Sequence, residues 1–278
     1  MTAASELSFF ASADGDLAYR DVGTGDPVVL LHSGFADHRV FDDQLPSLAA
    51  DFRVIAPDIR GHGLSANASG PFRWADDLVD LLRHLDLGPA VLVGLSMGAG
   101  VATDTALEHP ELVRAIVVSG GGTSAFEYQD PELLEHTARA GQLLAAGDIP
   151  GWLDQFTQGV AGPRRTVAEV APSVLRRLRE LTAHTISKHT PGERDWYVPL
   201  PDPWSGVPKL DVPVLAIHGA ADWPDSIAMA QRLADTVPNG RSTTIEGVGH
   251  YPNMEKPERF NEILMDFLGA LRRSEAED

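Results

Sequence analysis

The chain has 278 residues, of which 43% are apolar and 22% charged; these ordinary globular values exclude disorder over most of its length. With 22 Lys and Arg against 40 Asp and Glu, the formal net charge is −18. Such a charge disfavours nucleic acid and anionic membrane surfaces as partners, because both would repel the protein. The chain contains no cysteine, which excludes disulfides, thiolate metal sites and a cysteine nucleophile.

Neither a secretory signal nor a membrane span is visible in the sequence. Residues 1–15 contain no Lys or Arg and no long apolar run. The longest mostly apolar stretch, residues 90–102, is interrupted by Ser96 and by glycines and is shorter than a bilayer span requires. We therefore expect a cytoplasmic protein that acts on a small-molecule substrate. The sequence carries no signal for an oligomeric state.

Short apolar runs alternate along the chain with stretches of helical spacing. An antiparallel hairpin is expected first, from residues 7–11 and 17–21 on either side of Asp14-Gly15. Apolar runs that fit parallel strands buried on both faces follow at 28–31, 53–55, 90–93, 114–118 and 212–217. Helical spacing is found at 41–48, 76–85, 97–109 and 257–271. The pattern predicts an α/β fold with a mostly parallel sheet of about eight strands flanked by helices.

The alternation stops between residues 123 and 208, where only helical patterns occur. These cover residues 131–146, 151–160 and 167–189. Because strands of the same series flank this block on both sides, we interpret it as a helical lid inserted into one domain. The predicted organisation is a core of residues 1–122 and 209–278 and a lid of residues 123–208.

The strongest indication of chemistry is the pattern Gly94-Leu95-Ser96-Met97-Gly98. It follows the predicted strand 90–93 and opens the helical stretch 97–109, which is the setting of a nucleophile elbow. Glycines two positions before and after the serine allow a sharp turn from strand to helix without Cβ clashes. We therefore predict that Ser96 is a catalytic nucleophile.

A serine nucleophile needs a base and a group that orients the base. His250 lies on a glycine-containing loop after a short β run, where it can reach over the sheet to the serine hydroxyl. Asp222 follows the strand 212–217, and the order Ser96, Asp222, His250 is the one expected for this kind of sheet. Asp225 is the competing carboxylate, and its position favours the first turn of the next helix. We predict Asp222 as the orienting residue.

Acyl transfer also needs N–H donors for a developing oxyanion. The N–H of Met97, at the start of the helix after the serine, is one candidate. The turn after the strand 28–31 reads His32-Ser-Gly-Phe35, and its glycine permits close approach of the backbone. We predict the Gly34 N–H as the second donor, with Phe35 beside it.

Together these motifs resemble the α/β-hydrolase superfamily, in its lid-bearing branch of esterases, lactonases and carbon–carbon hydrolases. The matching segments are residues 32–35, 58–65, 94–98, 219–222, 249–250 and 255–258. Many relatives carry His-Gly where this chain has His32-Ser33. Epoxide hydrolases and haloalkane dehalogenases carry an aspartate at the position of Ser96, so the resemblance excludes those two groups. We interpret residues 58–65, which are rich in glycine and contain His62 and Ser65, as a structural loop beside the site.

Aromatic residues are dense in the predicted lid, and we expect some to pack it onto the sheet and others to line the substrate pocket. Those assigned to substrate binding are Trp152, Phe156 and Trp196, together with Phe35. The arginines at positions 176, 177 and 179 are interpreted as a solvated helix face, with steering of an anionic substrate as the alternative.

The sequence thus predicts a serine hydrolase that cleaves a small to medium carboxylic ester or lactone through an acyl-enzyme. No metal and no organic cofactor is predicted. Two alternatives stay open. One is hydrolysis of a carbon–carbon bond beside a ketone with the same three residues, and the other is a ligand receptor or lyase on the same fold.

Overall fold

A computed structural model describes residues 7–190 and 192–277 of the chain, built around one eight-stranded sheet. The strands are Ser8–Ser12 (β1), Gly15–Val22 (β2), Pro27–Leu31 (β3), Arg53–Pro57 (β4), Ala90–Leu95 (β5), Val113–Ser119 (β6), Val214–Gly219 (β7) and Gly240–Ile245 (β8). Their order in the sheet is β1-β2-β4-β3-β5-β6-β7-β8. Only the β1–β2 and β2–β4 pairs of this sheet are antiparallel, so the predicted mostly parallel α/β sheet is confirmed.

Helices cover both faces of the sheet. They are Leu45–Leu48 (α1), Trp74–His84 (α2), Met97–Glu108 (α3), Pro131–Ala145 (α4), Ile149–Ala161 (α5), Pro172–Ser187 (α6), Pro224–Thr236 (α7), Pro252–Glu255 (α8) and Pro257–Glu277 (α9). A hydrophobic cluster lies on each face of the sheet, and alternate side chains of β3 contribute to the two clusters. Val28 and Leu30 pack with α1 and α9, whereas Val29 and Leu31 pack with α2, α3 and α7. This two-sided burial explains why the strands are apolar throughout.

The predicted hairpin is present, and the predicted helix at 41–48 is divided into two pieces. Register pairing of Ser12 with Gly15 confirms the expected turn, in which Gly15 adopts a φ of 89°. The helical spacing at 41–48 corresponds to two short pieces, a 3-10 turn at His38–Phe41 and α1, since Pro46 lacks the N–H that a continuous helix would use.

The first six residues lie outside the described residues. They are part of the stretch on which the prediction of no secretory signal rests.

Three longer helices, α4 to α6, lie between β6 and β7, where the sequence predicted only helical structure. The expected single helix at 167–189 is wrong at its start, because a 3-10 turn at Val167–Glu169 comes first and α6 begins at Pro172. Ala171, the residue before that proline, is extended with ψ of 128°, as steric conflict with the proline ring requires.

Helices α5 and α6 cover the carboxyl edge of the sheet. The Gly159 carbonyl of α5 accepts a hydrogen bond of 3.0 Å from Trp223 Nε1 in the loop after β7. From α6, Thr185 bonds the loop after β3, and the Arg177 guanidinium lies 2.5 Å from a carboxylate oxygen of Asp42. The arginine therefore ties the helix to the core rather than standing free in solvent. The division into a core and a lid at residues 123 and 208 stays a prediction.

No helix within the described part of the chain combines the length and the apolar character needed to cross a membrane.

The close contact between α3 and β3 requires a glycine at position 98. A β-carbon placed on Gly98 would lie 2.1 Å from the Leu31 carbonyl oxygen, far inside van der Waals contact. We expect Gly98→Ala to lower the free energy of unfolding by about 1–3 kcal/mol, as overpacking of a core does. Gly141→Ala is the matched control, since nothing lies within 4 Å of a β-carbon at that exposed position of α4.

Urea denaturation of both variants measures the contrast. Gly141→Ala should raise the stability by up to ~1 kcal/mol, because alanine is the better helix former. A Gly98→Ala protein as stable as Gly141→Ala would contradict the tight contact between α3 and β3.

Candidate active site

Ser96 occupies the turn between β5, which ends at Leu95, and α3, which begins at Met97. Its backbone has φ 50° and ψ −109°, a conformation that costs a non-glycine residue conformational energy. The Ser96 N–H donates a hydrogen bond of 2.7 Å to the Ser119 carbonyl at the end of β6, which helps to hold the strained turn. The serine side chain is thereby fixed at the carboxyl edge of the sheet.

The flanking glycines of the turn are required by space. A β-carbon on Gly94 would lie 2.3 Å from the Gly98 carbonyl oxygen, so the strand and the helix could not approach as they do. This is the close packing that the spacing of the two glycines predicted around Ser96.

Asp222 and His250 are brought together from the loops that follow β7 and β8. Both carboxylate oxygens of Asp222 lie 3.0 Å from His250 Nδ1. The Asp222 side chain is only 1% exposed, and one of its oxygens also accepts the Trp223 N–H at 2.8 Å. Since Nδ1 faces a carboxylate, it carries the proton and donates it, which leaves Nε2 as the nitrogen that can accept one.

The electrostatics of this pair favour a protonated imidazole. Burial disfavours the charged ring, but the negative charge of Asp222 and its hydrogen bond outweigh that effect and raise the pKa of His250 above its ordinary value. The backbone of His250 is held by α5, because its N–H donates to the Val160 carbonyl at 3.4 Å.

Two glycines after β6 bring the serine turn and the histidine to the same place. A β-carbon on Gly120 would lie 2.7 Å from His250 Cε1, and one on Gly121 would lie 2.8 Å from the Ser96 carbonyl oxygen. The segment therefore touches both residues. The sequence analysis did not assign these glycines, although the unbroken run Gly120-Gly-Gly122 just after a strand is a visible signal.

The predicted oxyanion donors also lie near each other. A β-carbon on Gly34 would be 4.0 Å from both Cβ and Sδ of Met97. Neither the Gly34 nor the Met97 N–H has an acceptor among residues 7–190 and 192–277. Two unpaired N–H groups beside a serine turn are what the stabilisation of an oxyanion requires.

Three of the four aromatic residues assigned to substrate binding form one group. Phe35, which has φ 61°, makes an edge contact with Trp152 at 4.8 Å between ring centroids. Trp152 stacks on Phe156 at 5.6 Å, so α5 supplies two of the three rings. Trp196 lies outside this group: the Arg194 guanidinium covers its ring at 3.9 Å, and its carbonyl accepts the Phe72 N–H at 3.1 Å.

Asp225, the competing carboxylate, binds backbone N–H groups and not the histidine. It lies in the first turn of α7, and one of its oxygens accepts the N–H groups of Gln129 and Asp130 at 2.7 and 2.8 Å. The competing carboxylate therefore anchors the segment that leads into α4.

One group of buried side chains in the described residues is close enough to share a metal ion: Asp37, His38 and Asp58, whose ligand atoms lie within 4.8 Å of one another. These atoms are already in use. His38 Nδ1 bonds Asp58 at 2.7 Å, and Asp37 pairs with Arg39 at 2.6 Å. Asp58 also accepts the Leu64 N–H at 2.8 Å, so the group holds together the loop of residues 58–65.

Comparison with known proteins agrees with the fold. A profile of the family described as alpha/beta hydrolase fold matches residues 26–257. A pimeloyl-[acyl-carrier protein] methyl ester esterase from Aromatoleum aromaticum is 30% identical, over 87% of this chain and 97% of its own.

Solved structures give the same answer. A thermophilic esterase from Thermogutta terrifontis, with malate bound, has a TM-score of 0.76 at 27% identity, covering 96% of this chain and 99% of its own. A bromoperoxidase from Bacillus anthracis also has a TM-score of 0.76, at 26% identity over 95% of this chain and 100% of its own. The chain belongs to the α/β-hydrolase family.

Proposed function

We propose that the protein is a serine hydrolase that cleaves a small to medium carboxylic ester or a lactone through Ser96, His250 and Asp222. The observation that carries this proposal is the buried Asp222 carboxylate with both oxygens at His250 Nδ1, on the sheet edge where Ser96 occupies a strained turn. The esterases among the similar proteins support the ester as substrate class.

The geometry suits an acyl-enzyme mechanism. Ser96 Oγ attacks the substrate carbonyl while His250 Nε2 takes the hydroxyl proton, and Asp222 stabilises the imidazolium that forms. The N–H groups of Gly34 and Met97 bind the oxyanion. The tetrahedral intermediate collapses with transfer of that proton to the leaving alkoxide, and the acyl group stays on Ser96. A water molecule, deprotonated by His250, then releases the acid and regenerates the serine.

In this proposal α4 to α6 act as a lid and the group of Phe35, Trp152 and Phe156 forms an apolar wall of the substrate pocket. Phe35 is 38% exposed, so part of its ring is open to a ligand, whereas Trp152 is almost fully buried and supports it. Such a wall suits an apolar acyl or alcohol group. The steps above use only side chains, backbone N–H groups and water. A cytoplasmic location and independence from metal and cofactor stay predictions.

Replacement of the proposed nucleophile tests the reaction class. We expect the wild type to hydrolyse p-nitrophenyl acetate or butyrate, or a simple lactone. Ser96→Ala should lose about 10⁴- to 10⁶-fold in kcat, since the residues of such a triad act as a unit. Ser226→Ala, at a buried serine in the first turn of α7, is the control and should keep wild-type turnover.

Turnover that survives Ser96→Ala would rule out the acyl-enzyme mechanism. A wild type that is inactive on every ester and lactone but cleaves a vinylogous diketone would replace the proposal with carbon–carbon hydrolysis.

The His250–Asp222 pair sets the pH dependence of the reaction. Only the neutral imidazole can act as a base, so kcat/KM should fall as the pH drops through the raised pKa of His250, at a value above 6.5. Asp222→Asn removes the charge that raises this pKa while burial still lowers it. The acidic limb should then move to lower pH and kcat should fall by about 10⁴-fold.

Profiles of kcat/KM between pH 5 and 9 check this expectation. Asp225→Asn is the matched control, because that carboxylate binds backbone N–H groups and not the histidine. An acidic limb that stays in place in Asp222→Asn, or that moves in Asp225→Asn, would show that Asp222 does not determine the pKa of His250.

A further inference from the structure

A buried hydrogen bond joins the two loops that carry the proposed oxyanion donor and the proposed base. Ser33 Oγ and the Tyr251 hydroxyl oxygen are 2.8 Å apart, and each residue is only 2% exposed. Ser33 directly precedes Gly34, and Tyr251 directly follows His250. The mechanism above uses neither hydroxyl.

The carbonyl of Ser33 is held as firmly as its hydroxyl. His32 Nε2 accepts the Ile59 N–H at 2.8 Å, so in the neutral ring the proton is on Nδ1, which donates to the Ser33 carbonyl at 2.8 Å. Burial lowers the pKa of His32 and keeps the ring neutral. The Ala36 N–H donates to the same carbonyl at 3.3 Å.

This arrangement determines the direction of the Gly34 N–H. The Ser33 carbonyl and the Gly34 N–H belong to one planar trans peptide and point in opposite directions. With the carbonyl tied to His32 and Ala36, the N–H must point the other way. Rotation of the peptide would break the bonds that its carbonyl accepts from His32 and Ala36. The bond between the Ser33 hydroxyl and Tyr251 fixes the Ser33 Cα, which is one end of this peptide.

Tyr251 is a rigid anchor for this peptide. Its ring lies in the core between the sheet and α9, and its carbonyl accepts the N–H groups of Met254 and Glu255 at 3.0 Å in the first turn of α8. Burial raises the pKa of the Tyr251 phenol to about 12, so the hydroxyl stays neutral throughout the working pH range. The ring also meets the His250 imidazole edge-on at 5.4 Å.

We propose that Ser33 and Tyr251 are positioning residues whose hydrogen bond holds the Gly34 N–H in register with His250, so that the oxyanion donor and the base move as one unit. The proposal rests on the proposed function, because it assigns Gly34 and His250 the roles given above. It adds two residues from opposite ends of the chain that do not touch the reacting atoms.

A double-mutant cycle tests the coupling. Tyr251→Phe and Ser33→Ala each remove one hydroxyl and should each lower kcat by roughly 10- to 100-fold, since a misplaced donor stabilises the transition state less. KM should stay within about twofold, because the oxyanion contact forms only in the transition state. The double variant should be no slower than the slower single variant, since either change alone breaks the bond. Tyr19→Phe, at a buried tyrosine of β2, is the control and should keep wild-type kcat.

A second measurement needs no substrate. Nitrogen-15 relaxation should show the Gly34 amide as ordered in the wild type and in Tyr19→Phe, and as more mobile in Tyr251→Phe and Ser33→Ala. This result separates the inference from the proposed function, since a protein inactive on esters would overturn the latter while the amide still reports on the former. An equally ordered Gly34 amide in all variants, unchanged kcat in the single variants, or losses that multiply in the double variant would each overturn the coupling.

Discussion

The close approach of helix α3 to the carboxyl end of strand β3 is the constraint on which the site depends. With a β-carbon of Gly98 only 2.1 Å from the Leu31 carbonyl oxygen, no residue larger than glycine fits there. The approach places the first N–H of α3 beside the turn that follows β3, so Met97 and Gly34 become neighbours. It also leaves a single residue, Ser96, to reverse the chain, and that residue takes a positive φ. Strain at one serine is thus the consequence of a tightly packed sheet edge.

The second organising feature is the buried carboxylate of Asp222, which accepts hydrogen bonds from more than one group. Asp222 receives the His250 imidazole and the Trp223 N–H. Helix α5 then holds both of these partners, since its Gly159 carbonyl binds the Trp223 indole and its Val160 carbonyl binds the His250 backbone. The helices between β6 and β7 therefore do more than cover the site. They help to hold Asp222 and His250 in place at the ends of the glycine-containing loops after β7 and β8.

Much of the fold could be predicted from the sequence because its signals are local. A buried parallel strand is apolar throughout, and the serine turn is marked by glycines within five residues. Proline explains the principal error, since the periodic pattern before Pro172 continues across a residue that must begin a new helix. The bond between Ser33 and Tyr251 could not be predicted, because it joins residues 218 positions apart. Trp196 shows the same limit, since its surroundings depend on how the chain returns from α6 to β7.

The most direct test of the central claim is the site of covalent labelling by a p-nitrophenyl alkylphosphonate, measured by intact mass and peptide mapping. We expect one adduct per chain on Ser96, formed with release of p-nitrophenol and much more slowly in His250→Ala. An adduct on another residue, or labelling of Ser96 that is equally fast without His250, would contradict a serine nucleophile activated by the histidine.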